Sequence, residues 1–151
     1  LEMVGKDVIP LIDEKLPDHR EIYIAGYSLA GLFSLWTLYA CDWFDGAVCC
    51  SGSLWYPGWS QYIEQTVLQK KSDVYLSLGK KEPHTKHPLM KKSGEMMALQ
   101  NEHLMKDPHA GKITFEWQEG GHFDNVEERI ARGILWILTE KGRGRSKYEK
   151  S

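Results

Sequence analysis

The chain has 151 residues, of which 42 % are hydrophobic and 26 % charged, which fits one globular domain or part of one. Lys and Arg number 19 against 21 Asp and Glu, for a net charge of −2. That balance lacks the basic surface that grips phosphates, so no nucleic-acid partner is expected. No run approaches the ~18 apolar residues of a membrane span, and the most apolar stretch, 22–40, is interrupted by Gly26, Ser28, Gly31 and Ser34.

In chain order, Val4, Val8, Leu11, Ile12 and Leu16 fall near helical spacing, which predicts a helix over 3–16 that Pro10 kinks or restarts. Residues 17–19 form a turn. The run EIYIAG, 21–26, is rich in β-branched and aromatic types and reads as a buried strand. Residues 29–41 read as a helix apolar nearly all round, and therefore well buried. A second strand is expected over 46–51, a Trp- and Tyr-rich loop over 55–59, and a helix over 60–70. A third strand follows over 73–78, a helix over 87–106, a fourth strand over 112–117, and an amphipathic helix over 125–140 carrying Ile130, Ile134, Leu135, Ile137 and Leu138. The basic tail, 142–151, lacks an apolar stripe and is expected to fray. Met96, Met97 and Met105 read as core packing.

Strands separated by helices predict an α/β fold: a mostly parallel sheet flanked by helices, with ligands bound beyond the carboxyl ends of the strands. The strand ends are therefore where chemistry is to be sought. The first reads Gly26-Tyr27-Ser28-Leu29-Ala30-Gly31, a G-x-S-x-G elbow with Ala in the last slot. In that motif a strand turns into a helix within one residue, so the serine takes a strained backbone and its neighbours two away must be small. Ser28 is the candidate nucleophile, and the Leu29 N–H is the candidate oxyanion donor.

A serine needs a base. Of the six histidines, His122 follows the fourth strand at once, after Gly120 and Gly121, on the same sheet edge as Ser28. A histidine base needs an acid to orient it. Glu82 follows the third strand end and keeps the order Ser, acid, His that accompanies this elbow. Its competitors are Asp124, two residues after His122 and placed to cap the last helix, and Asp42 or Asp45, which precede the second strand at the opposite sheet edge. Trp55, Tyr56 and Trp59, with Tyr27, are candidate walls of a substrate pocket. His84, His87 and Glu82 are close in sequence but lack zinc-ligand spacing. Cys49 and Cys50 are adjacent in a strand and point to opposite faces. Neither a metal nor a cofactor is expected. Three cysteines, Cys41 among them, make no disulfide framework, which suits a reducing, cytoplasmic compartment.

With IYIAGYSLAGLFSLW around Ser28, AVCCSGSLWYPGW after the second strand, VYLSLGKKE before Glu82 and FEWQEGGHF around His122, the chain resembles the α/β-hydrolase superfamily. Within it the sequence is most similar to esterases of the esterase-D and enterochelin-esterase type. The resemblance covers about residues 5–140 and implies hydrolysis of a small-molecule carboxylic ester through an acyl-enzyme. An acyltransferase with the same triad, or a non-catalytic hydrolase-like module, are the alternatives. It also implies that 1–141 correspond to the C-terminal half of such an enzyme. The N-terminal strands and the loop giving a second oxyanion N–H would then be absent, leaving a sheet edge open to self-association.

Overall fold

The computed structural model describes residues 1–145, with side chains as far as Thr139. A π-helical turn, Val4–Val8, leads into α1 (Ile9–Lys15), where Pro10 occupies the first turn. Proline has no N–H and its ring crowds the carbonyl four residues back, so the backbone widens just before it. The expected apolar stripe of this segment is largely uncovered. Neither helical segment has a buried residue, and Val8, Leu11 and Leu16 are exposed.

Four strands follow: β1 (Tyr23–Tyr27), β2 (Gly46–Cys50), β3 (Ser72–Gly79) and β4 (Ala110–Gln118). They form one sheet in the order β1-β2-β3-β4, every pair parallel. β2 and β3 have neighbours on both sides and every residue in them is buried. The apolar run ending at Gly26 reads equally well as a central strand, but β1 lies at the edge, with a strand on one side only among the described residues.

The connecting helices are α2 (Leu29–Ala40), α3 (Trp59–Glu64), α4 (Ser93–Lys106, entered through a 3-10 turn, Met90–Lys92) and α5 (Val126–Arg145). Right-handed crossovers that always step the same way along the sheet put α2, α3 and α4 on one face. There Leu35, Leu38, Ile63, Met97 and Leu104 pack on Ala47, Cys49, Val74, Leu76 and Leu78. α5 follows the last strand and covers the other face, where Ile137, Ile130 and Trp136 meet Val48, Cys50, Tyr75 and Tyr27. The two-residue alternation of a strand therefore sends Cys49 and Cys50 into different layers.

α3 stops at Glu64, well before 70, and α5 continues to Arg145, beyond 140. Residues 142–145 of the expected tail are thus helical, and 146–151 lie outside the described residues. On α5, Ile134, Leu135 and Leu138 are exposed. Met97 is in the core and Met96 packs against it, whereas Met105 is 68 % exposed. No helix among the described residues is long and apolar enough to cross a membrane.

Candidate active site

The site lies where the four strands end. Between β1 and α2, Ser28 has φ 58° and ψ −121°, a conformation that costs a non-glycine residue on the order of 1–3 kcal/mol. Three backbone hydrogen bonds hold it: the Ser28 N–H donates to the Cys50 carbonyl at 3.0 Å, and its own carbonyl accepts from Leu32 N at 3.1 Å and Ser53 N at 3.0 Å. The turn closes because Gly26 has no side chain; a Cβ there would lie 2.1 Å from the Ala30 carbonyl oxygen. Leu29 opens α2 with its side chain 61 % exposed, and its N–H belongs to the first turn, where a helix offers no acceptor.

The loops after β3 and β4 are tied together as they leave the sheet. Lys80 N donates to the Gln118 carbonyl at 2.9 Å and Lys81 N to that of Gly120 at 3.0 Å. Gly120, with φ +94°, makes the turn before the histidine. These ties bring Glu82 and His122 to each other and to Ser28. His122 Nε2 lies 3.0 Å from Ser28 Oγ, and its Nδ1 lies 2.8 Å from Glu82 Oε2.

Burial alone would push the Glu82 carboxyl up. Hydrogen bonds from Ser51, His122, the Gly79 N–H and Arg129 outweigh it and hold the carboxyl below its ordinary range. An ionised Glu82 only accepts, so His122 donates from Nδ1 and keeps the lone pair of Nε2 for the Ser28 hydroxyl proton. Lys80 pairs with Glu119 rather than with Glu82.

The competing acids are elsewhere. Asp124 accepts from the Gly121 N–H at 2.7 Å within the histidine loop and does not cap α5. Asp45 accepts from Ile22 N at 2.8 Å, at the far end of β1.

The aromatic residues expected to wall a substrate pocket are distributed differently. Tyr27 packs its ring against His122, with centroids 5.5 Å apart, and donates its hydroxyl to the His122 carbonyl at 2.7 Å. Trp59 is buried, its indole N–H bonded to Gln100 Oε1 at 2.9 Å. One side of it closes an apolar groove of about 260 Å³ with Leu29, Leu32, Phe33 and Trp36 along α2. Trp55 lies against His87, and Tyr56 is exposed. Phe123, 88 % exposed, stands edge-on to His122 at 5.0 Å. Among the described residues no group of three His, Cys, Asp or Glu side chains could hold a metal ion.

Arg129 belongs to none of the motifs legible in the sequence. It is buried in the first turns of α5 and reaches Glu82 Oε1 at 3.0 Å. Its signal was faint: an arginine on the helix face that also carries Val126, Gly133 and Ile137, just after two glutamates.

The fold is that of the α/β-hydrolases. More particularly, the chain is similar to an IroE-like serine hydrolase from Shewanella oneidensis, with a TM-score of 0.73 and 15 % identity over 91 % of this chain and 46 % of that one. It is also similar to siderophore hydrolase EstA from Aspergillus nidulans, with a TM-score of 0.69 and 17 % identity over 89 % and 54 %. A third is the enterobactin esterase FES from Shigella flexneri, solved with 2,3-dihydroxy-N-benzoyl-glycine, with a TM-score of 0.69 and 19 % identity over 91 % and 37 %. The chain spans about half the length of these structures or less. No family model and no curated protein sequence matches it.

Proposed function

We propose that the chain carries the catalytic residues of a serine ester hydrolase. Ser28 Oγ attacks the acyl carbon of a carboxylic ester while its proton passes to His122 Nε2. The tetrahedral oxyanion is met by the Leu29 N–H. As the C–O bond breaks, the alcohol departs with the proton from His122, leaving an acyl group on Ser28. Water, deprotonated by the same imidazole, then releases the acid and restores the serine. Glu82 fixes the ring and stabilises the imidazolium without taking its proton.

The observation that carries this reading is the unbroken hydrogen-bonded chain Ser28–His122–Glu82, with links of 3.0 and 2.8 Å. It sits on a strained elbow beyond the carboxyl ends of a parallel sheet. Siderophore esters are the first biological substrates to offer, since two of the structural likenesses are described as a siderophore hydrolase and an enterobactin esterase. Cys41, Cys49 and Cys50 are free thiols, which suits a reducing, cytoplasmic setting.

A fluorophosphonate probe tests the proposal. The chain should be labelled at Ser28, and Ser28→Ala should abolish the label. Equal labelling of both proteins, or labelling at another residue, would sink it.

A further inference from the structure

We propose that Arg129 is a positioning residue for this site: one buried guanidinium fixes both the acid Glu82 and the loop that presents His122. The proposal rests on the hydrolase reading above for its effect on rate, and on geometry alone for its effect on the histidine.

An arginine has five N–H donors in a rigid fork, and all five of those on Arg129 are taken. Nε donates to Gln118 Oε1 at 2.6 Å. Nη1 donates to the Tyr27 hydroxyl at 2.6 Å and the Gly121 carbonyl at 3.0 Å. Nη2 donates to Ser51 Oγ at 2.6 Å and Glu82 Oε1 at 3.0 Å. The acceptors come from the ends of β1 and β4, the residue after β2, and the loops after β3 and β4. One side chain thus ties together the tips of all four strands.

Its position is costly for stability. Burying a guanidinium is unfavourable even when it is paired, and well-packed apolar residues often serve a core as well or better. The first turns of a helix also repel a cation through the macrodipole. A fully matched arginine placed there against both penalties points to a role in arranging its acceptors.

What it arranges are the two ends of the Glu82–His122 pair. Glu82 Oε1 accepts from Arg129, from Ser51 Oγ at 2.5 Å and from Gly79 N at 2.8 Å. With that oxygen occupied, Oε2 faces His122 Nδ1. On the other side the Tyr27 hydroxyl accepts from Arg129 and donates to the His122 carbonyl. The Gly121 carbonyl, one residue earlier, is bound directly. A lysine has three donors on a point charge and cannot reproduce this fork.

The test is proton NMR of the full chain, paired with ester kinetics. The wild-type protein should show a strongly downfield proton, held between His122 Nδ1 and Glu82, that disappears in His122→Gln. In Arg129→Met that proton should broaden or vanish. The kcat should fall on the order of 10²-fold, as for a misplaced catalytic group, with KM within about threefold, since Arg129 does not line the nucleophile's open side. Arg129→Lys should recover only part of both. If Arg129→Met does not fold, Tyr27→Phe removes one hydroxyl from the same network and keeps the ring. It should weaken the proton signal and lower kcat about tenfold, the scale of one hydrogen bond.

A wild-type chain without that proton would overturn the proposal. So would a folded Arg129→Met, or Tyr27→Phe in its place, with the signal unchanged and kcat within twofold. A wild-type chain that shows the proton but hydrolyses no ester would refute the hydrolase reading and leave the positioning role to the spectrum.

Discussion

Arg129 and Glu82 meet at 3.0 Å with their side chains only 4 % and 6 % exposed, so each serves as counter-charge to the other away from bulk water. Breaking such a pair by removing one partner costs about 3–5 kcal/mol, because the remaining charge stays buried and uncompensated. The same carboxylate accepts from His122, whose ring faces Ser28, so in the proposed hydrolase stability and chemistry are joined at one residue.

Glu82→Gln separates the two. The amide has nearly the shape of the carboxylate but no charge, and it presents a donor as well as an acceptor. Urea unfolding should show a loss of about 3 kcal/mol from the stranded Arg129 charge. Hydrolysis should fall by about 10³–10⁴-fold, because an amide donor facing Nδ1 favours the tautomer in which Nε2 carries the proton and cannot accept one from Ser28. Unchanged stability would mean that the pair is screened by water, and unchanged kcat that His122 takes its orientation from another group.

The pH dependence of stability follows from the same carboxyl. Its pKa in the folded chain lies below the ordinary value, with four hydrogen bonds outweighing burial. A depressed carboxyl contributes stability that is fully present above the unfolded value of about 4.3 and is lost as pH falls through the lower folded value. Other carboxylates titrate in the same range, so the informative quantity is the difference in unfolding free energy between wild type and Glu82→Gln. That difference should hold from pH 7 to about 5 and shrink below about 4.3. A constant difference down to pH 3 would contradict the assigned direction.

At the elbow the constraint is steric. Gly26→Ala would drive a Cβ to 2.1 Å from the Ala30 carbonyl oxygen, a backbone atom that cannot move without opening the first turn of α2. Overpacking at a rigid place costs about 3 kcal/mol, sometimes more, and here the strained Ser28 conformation has nowhere to relax. Thermal unfolding should shift well below wild type, and fluorophosphonate labelling should fall even in the fraction that folds. Wild-type labelling and melting would show that the turn tolerates a side chain.

What the sequence disclosed and what it withheld have separate physical causes. The strands, the elbow, Glu82 and His122 were legible because they depend on local chemistry: apolar runs bounded by glycine, a small–Ser–small turn, and polar residues just past strand ends. Their meeting within 3.0 Å follows from a parallel sheet whose strand tips share one edge. Composition did not place β1 within the sheet, since the run is as apolar at an edge as at the centre; its open edge was expected from the resemblance alone. The covered side of α5 was not legible either. Its apolar residues span more than one face, so Ile137 is buried while Ile134, Leu135 and Leu138 are exposed. Arg129 was missed because one arginine on a helix reads the same whether it meets water or five protein acceptors.

Among the described residues one side of β1 is open, and the strand pairs only with β2. Ile22 and Ser28 bond toward β2, so the alternation of a strand turns the backbone of Ala25 to the side without a neighbouring strand. A parallel sheet is ordinarily covered, and a short apolar edge with unused backbone groups is a template for another chain. The 151-residue chain should therefore associate as its concentration rises, through pairing at β1 with a second copy. Ala25, which is exposed at mid-strand, offers a way to test this without touching Ser28, Glu82 or His122. Ala25→Lys places a charge of the kind that natural edge strands use to resist pairing. Light scattering across a concentration series should show wild type growing in mass while Ala25→Lys stays monomeric, with Ser28 labelling equal in the two. A wild-type chain that remains monomeric throughout, or an Ala25→Lys variant that associates just as strongly, would show that the β1 edge is not the contact.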